Sequence, residues 1–165
     1  MSGDRTLEGK NAEIAVKMLK RIATFLEQNE IPYILEAGTL LGVIRENRLL
    51  PWDNDIDITI VRQYENKLLK NIWKLRLWGY QVRVKRYKRD LKFFKKNELR
   101  IIKVRHLNIL KFFKRDVVLD IFVKRKIENE YYWTVGVKKP VLKSVPERFY
   151  DNLTKYPFEG KDFSV

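Results

Sequence analysis

Apolar side chains recur early in the chain as Ile14, Ala15, Met18, Leu19, Ile22, Ala23 and Leu26. Steps of three and four put them on one side of a helix. The spacing predicts a helix from Lys10 to Asn29, which Pro32 keeps from continuing. "YILEA" (Tyr33–Ala37) reads as a short strand, and Gly38-Thr39 turns the chain into a short helix from Leu40 to Glu46. "RENRLLPW" reads as a loop, and "DIDITIV" (Asp55–Val61) alternates as a half-buried strand does. Leu68, Leu69, Ile72, Trp73 and Leu75 predict a second helix from Gln63 to Trp78, stopped at Gly79. From Tyr80 the period changes to two: "YQVRVKRY", "LRIIKVRHL", "DVVLDIFV" (Asp116–Val123) and "YYWTVGV" read as strands, and Pro140, Pro146 and Pro157 divide the tail. This order predicts an α+β fold with a mixed central sheet flanked by helices.

Composition narrows the chemistry. The 165 residues suit one domain over 1–165, and 45% hydrophobic with 13% aromatic residues argues against disorder. There is no cysteine and one histidine, His106, which excludes disulfides and thiolate or multi-histidine zinc sites. Any metal must be held by oxygen, which points to Mg²⁺ or Mn²⁺. No apolar run approaches the ~20 residues of a membrane span, and the N-terminus lacks the apolar core of a secretory signal. A soluble, cytoplasmic protein is therefore expected.

Charge is uneven along the chain. Residues 1–65 hold eight Lys/Arg against eleven Asp/Glu, a net of −3; residues 83–126 hold seventeen against four, a net of +13. Such a basic stretch suits phosphate-rich ligands, nucleic acid or an anionic membrane surface, or it is simply a solvated face.

Into the acidic half falls "WDNDIDI". Alternate residues of a strand share a face, so Asp55 and Asp57 point one way while Ile56 and Ile58 turn to the core. Asp120 is the lone acid within "VVLDIFV". A buried lone carboxylate costs several kcal/mol unless paired or liganded. Asp120 either pairs with a lysine or, if its strand lies beside Asp55–Val61, completes a triad with Asp55 and Asp57. A triad of carboxylates is a hard-oxygen site for one or two divalent ions, suited to phosphoryl and nucleotidyl transfer. Gly38 and Thr39, between strand and helix, offer backbone N–H groups and a hydroxyl to a phosphate.

"EAGTLLGVIRENRLLPWDNDIDI" closely resembles the signature of the LicD family, "GTLLGxxR…PWDxDxDI", across Gly38 to Ile58. That family belongs to the nucleotidyltransferase-fold superfamily and includes bacterial phosphocholine transferases and eukaryotic fukutin-related ribitol-phosphate transferases. Asp120 in "LDIF" resembles its third acidic strand, and "VPERFYDNLTKYPFEGKDFSV" its late segment. Family members usually continue with a proline, a helix and a tyrosine-glycine pair, whereas this chain ends at Val165; a truncated chain or a reduced member is expected. Glu36 departs from the small or polar residue of many relatives and is either a further acid near the site or a solvated strand end.

The resemblance implies a nucleotidyltransferase-like fold. It also implies transfer of a phospho-substituent such as phosphocholine from a CDP-linked donor (of the CDP-choline, CDP-ribitol or CDP-glycerol class) to a sugar hydroxyl of a glycan or lipid-linked glycan. It assigns metal binding to Asp55, Asp57 and Asp120, with Asp120 ligating or taking the hydroxyl's proton, and Asp53 capping the loop or binding a second metal. Gly38, Thr39 and Arg45 would hold donor phosphate. Trp52 is expected to pack under the loop, and the remaining Tyr and Phe side chains to form core. The reaction is expected at the inner face of the membrane, in peripheral contact with anionic lipid. Two alternatives remain: a small-molecule nucleotidylyltransferase of the same fold, and a basic RNA-binding or inactive relative, which the intact acids disfavour.

Overall fold

A computed structural model describes residues 6–106, 117–136 and 138–165. The chain runs through α1 (Lys10–Gln28), β1 (Ile34–Leu35), α2 (Ala37–Glu46) and β2 (Ile56–Val61). A 3-10 turn (Arg62–Tyr64) leads to α3 (Glu65–Asn71) and α4 (Trp73–Leu77). There follow β3 (Tyr80–Arg86), β4 (Leu99–His106), β5 (Val118–Ile127), β6 (Glu130–Val135), β7 (Val141–Pro146), α5 (Arg148–Asp151), β8 (Lys155–Phe158) and β9 (Lys161–Ser164).

The main sheet has the order β1-β2-β5-β4-β3. Only β2 and β5 run parallel; β1, β4 and β3 join antiparallel, so the sheet is mixed as expected. The strand β5 continues past this register, and its last residues pair with β6, which pairs with β7. Separately, β8 and β9 form a hairpin whose two-residue turn, Glu159-Gly160, has both φ angles positive, as a primed hairpin turn requires.

The two faces of the sheet differ because the side-chain period is two. Ile56, Ile58 and Ile60 of β2, Leu119, Ile121 and Val123 of β5, and Ile102 and Val104 of β4 are all buried. They form one core with Met18, Leu19, Ile22 and Leu26 of α1. The opposite face carries Asp57, Asp120 and Lys103 in one cross-strand row, since Asp57 pairs with Asp120 and Asp120 with Lys103. Burial of one face thus fixes the register that brings the acids together: a slip by one residue would put isoleucine where aspartate stands.

Some expectations need correction. The first strand shrinks to Ile34–Leu35, because Ala37, with a φ of 47°, already opens α2; Gly38 and Thr39 lie in the helix's first turn. The helix expected over Gln63–Trp78 is broken at Ile72. The break keeps Leu68, Ile72 and Leu75 buried and leaves Trp73, expected on the apolar side, 52% exposed. Trp52 is not packed under the loop: Leu49 and Leu50 fill that place, and Trp52, in the turn closed by the Asp53 N–H on the Leu50 carbonyl, is 63% exposed. Phe149 is likewise exposed rather than core. Asp116, Leu107 and Val137, at the ends of expected strands, lie outside the described residues.

Candidate metal centre and its surroundings

Asp55 precedes β2, Asp57 is its second residue, and Asp120 lies in the middle of the sheet on β5. One carboxylate oxygen from each lies within 4.8 Å of the other two. Three like charges this close are unfavourable without a cation, and the proton affinities reflect it. Asp57 is pushed up to about 7 by burial, then by the charges of Asp55, Asp120 and Asp53, with Lys103 opposing. Asp55 is raised by burial and by Asp120 and Asp53. Burial raises Asp120 too, while its hydrogen bond with Lys103 pulls it back.

Asp120 is 4% exposed. Its Oδ2 accepts from Lys103 Nζ, yet its buried Oδ1 has no hydrogen-bond partner among the described residues. The sequence left two readings of this acid, a lysine pair or a triad, and it takes part in both. A buried carboxylate with one oxygen unpaired, clustered with two more acids, is a donor set that a hard divalent ion satisfies, so these residues fit Mg²⁺ or Mn²⁺.

The first turn of α2 braces the centre. The Asp57 N–H donates to Thr39 Oγ1 at 2.9 Å, and the Glu36 N–H donates to the Asp57 carbonyl at 3.0 Å. Thr39 is 2% exposed and keeps its own hydroxyl hydrogen to give elsewhere. Gly38 stands against Asp53: a Cβ there would lie 1.9 Å from Asp53 Oδ2. Asp53 Oδ1 accepts the Asn54 N–H at 2.9 Å, as a loop cap does. Its carboxylate adjoins the helix's positive end, where an anion is favoured. Arg45 is not brought to this group. It lies in the last turn of α2, largely exposed, with Glu46 at 4.0 Å as its ion-pair partner.

The charge row continues across the sheet. Lys103 pairs in register with Arg83 of β3, so Asp57, Asp120, Lys103 and Arg83 run from negative to positive over four neighbouring strands.

A cluster that sequence reasoning missed lies two pleats further along β5. Lys124 is 2% exposed and donates to Glu36 Oε1 at 2.6 Å and to the Tyr150 hydroxyl, while its Nζ stands 3.8 Å from the centre of the Trp133 ring. Tyr150 also donates to Glu36 Oε1. Burial pushes the Lys124 ammonium below its ordinary range and Glu36 opposes; burial and Glu36 raise the Tyr150 phenol. Of the two readings for Glu36, solvated strand end or acid near the site, neither anticipated a tie to β5 and α5.

The sequence profile of the family described as LicD/FKTN/FKRP, nucleotidyltransferase domain, matches residues 30–165. This chain belongs to the LicD family. Among curated relatives, an uncharacterized protein of Rickettsia prowazekii (strain Madrid E) is 27% identical over 157 residues, covering 95% of this chain and 49% of the relative. An uncharacterized protein of Rickettsia typhi is 31% identical over 74 residues, 45% of this chain and 24% of its own. The lipopolysaccharide cholinephosphotransferase LicD of Haemophilus influenzae is 33% identical over 60 residues, 36% of this chain and 22% of its own. This chain thus spans at most about half the length of these relatives. Among the described residues no helix is long and apolar enough to cross a membrane.

Proposed function

We propose that this LicD-family chain has a nucleotidyltransferase-like fold and transfers a phospho-substituent of the phosphocholine type from a CDP-linked donor to a sugar hydroxyl of a glycan or its precursor. The observation that carries the reading is the carboxylate triad of Asp55, Asp57 and Asp120, in which the buried Oδ1 of Asp120 has no hydrogen-bond partner among the described residues. The partial likeness to a cholinephosphotransferase supports phosphocholine as the substituent.

Asp55, Asp57 and Asp120 would hold Mg²⁺ or Mn²⁺, with Asp53 close enough in charge to assist a second ion. A divalent cation supplies positive charge for the transferring phosphoryl group. The sugar oxygen attacks the donor's distal phosphorus, a new P–O bond forms, and the bond to the CMP phosphate breaks with its electron pair leaving on CMP. The hydroxyl proton passes to Asp120. Thr39 donates its free hydroxyl hydrogen to the donor phosphate, and Gly38, whose missing Cβ makes room for Asp53, offers its backbone N–H from the first turn of α2; Arg45 would reach that phosphate only if α2 or its side chain shifts. The reaction belongs, on this reading, to the cytoplasmic face of the membrane.

The test is product analysis. The chain is incubated with Mg²⁺, a glycan acceptor and CDP-choline, CDP-ribitol or CDP-glycerol, with ATP in parallel. Release of CMP that requires acceptor and metal supports the reading. Release of pyrophosphate from ATP, with no CMP from any CDP donor, would replace it with nucleotidylyl transfer.

A further inference from the structure

Asp120 and Lys103 line a cavity of about 550 Å³ together with residues of β3, β4 and β5 and with Thr134, Val135, Gly136, Lys138 and Pro140. Of its sixteen lining residues seven are Lys or Arg and one, Asp120, is acidic. Lys85, Arg86, Lys88 and Arg89 are all exposed. Arg86 and Arg100 reach backbone carbonyls, those of Asn97 and Gly136, rather than carboxylates. Among the described residues only Lys103 of these cations has an ion-pair partner. Their charge is therefore available to a ligand, and the floor under it, with Tyr87, Leu91 and Phe122, is apolar. A solvated face would spread such charges outward; here they converge on a concavity that opens onto a candidate reaction centre.

We propose that this cavity is the acceptor subsite and that the acceptor carries a phosphate or diphosphate of its own beside the hydroxyl that reacts. The inference rests on the transferase reading above and adds the place and charge of the second substrate. Displacement at phosphorus sets the attacking and leaving oxygens roughly in line, on opposite sides. With the donor phosphate against Gly38 and Thr39, CMP leaves on the α2 side of the triad. The nucleophile then arrives from the β4 side, where Asp120 but neither Asp55 nor Asp57 lines the cavity. A neutral sugar would leave this cationic rim unpaired, whereas a sugar phosphate pairs with it through charge-assisted hydrogen bonds. Lys103, already beside Asp120, stands at the junction of the two subsites.

The phosphate has two possible sources, a soluble sugar phosphate or a lipid carrier, and the experiment separates them. Calorimetric titration of the full chain in EDTA uses N-acetylglucosamine 1-phosphate against N-acetylglucosamine, and flotation uses neutral vesicles with or without undecaprenyl phosphate. Two variants are compared: Lys85→Ala/Lys88→Ala/Arg89→Ala in the cavity, and Lys10→Ala/Lys17→Ala/Lys70→Ala elsewhere with the same charge change. At least one phosphate probe should bind where its phosphate-free counterpart does not. Affinity should fall about tenfold or more in the cavity variant and hold in the other; whichever probe binds names the source. Equal loss in both triple variants, or no binding of either probe, would overturn the proposal. So would a short RNA that outcompetes both probes through the same three side chains. CDP-choline with Mg²⁺ is titrated in parallel: donor binding that survives in the cavity variant while the phosphate probes fail removes only the acceptor proposal. Absence of donor binding in the parent chain removes the transferase reading instead.

Discussion

Asp120 and Lys124 stand on the same face of β5, two pleats apart, and each meets an opposite charge, Lys103 in one case and Glu36 in the other. Lys124 is fully provided for, with Glu36, the Tyr150 hydroxyl and the Trp133 ring around it. Asp120 has one oxygen paired and one bare, and two more acids facing it. Satisfied buried networks fix a structure; an unsatisfied one holds strain that a ligand can relieve. The contrast separates a fastening, which ties the start of α2 to α5 through β5, from a cluster whose chemistry fits a divalent cation.

The sharpest way to break this comparison is to neutralise one acid of the triad. Asp57→Asn should lower CMP release by a factor on the order of 10²–10⁴, the usual range for a lost catalytic proton-transfer or charge-stabilising group. The metal-free protein should melt at the same temperature or higher, because a repelling charge has gone. Turnover near the parent rate would remove Asp57 from the site; a much lower melting point would make the acids structural.

Lys124→Met should behave in the opposite way. Removing one partner of a buried pair leaves the other charge stranded and costs about 3–5 kcal/mol. Glu36 keeps 21% of its side chain exposed, so the lower end is expected. Urea unfolding measures it, and adding Glu36→Gln to Lys124→Met should recover most of the loss. A single variant as stable as the parent would show that the Glu36 tie contributes little to stability.

How far these two clusters could be read from the sequence differs for a physical reason. Alternating acids beside isoleucines and one acid within an apolar run are local patterns, and the period of two carries them directly to a shared face. The pairing of Lys124 with Glu36 spans 88 residues, and in "FVKRKI" the lysine looks like any charge near a strand end. Nothing local distinguishes it from Lys126, which is far more exposed. The broken helix at Ile72 was hidden similarly, since its apolar spacing fits a continuous helix and only packing selects which side chains are buried. The sequence marks Gly38 and Thr39 as a helix entrance, but nothing local in it shows that Asp53 rests on the first and the Asp57 N–H on the second.

That last contact supports a smaller prediction. Thr39→Val keeps the volume but leaves the Asp57 N–H without its acceptor, at a cost of about 1–3 kcal/mol for a buried donor left unpaired. Because the bond holds the backbone of a triad acid, Mg²⁺ affinity should weaken alongside urea stability. Thr39→Ser, which retains the oxygen, should restore both. Loss of stability with unchanged Mg²⁺ affinity in Thr39→Val would confine the residue to packing.

The smallest effect expected is also the one that tests Asp120 most directly. Lys103 competes with any metal for Asp120, so Lys103→Met should tighten Mg²⁺ binding, but only where the triad is ionised. Burial raises all three acids, and repulsion by neighbouring carboxylates adds to it at Asp55 and Asp57, taking Asp57 to about 7. An acid whose folded value is raised destabilises the metal-free protein progressively as pH climbs from its unfolded value near 4 toward its folded value, after which the cost is constant. A metal must displace those protons to bind, so in the parent its affinity and its upward shift of the melting temperature should grow from pH 5.5 to 8 and then level off. Removing Lys103 takes away the charge that holds Asp120 down, so proton competition persists to higher pH in the variant. Its gain in Mg²⁺ affinity should therefore be absent at pH 6 and emerge by about pH 8.5. Weaker Mg²⁺ binding than the parent at pH 8.5 would mean that Lys103 orients Asp120 rather than competing for it, and would move Asp120 toward the satisfied kind of pair that Lys124 exemplifies.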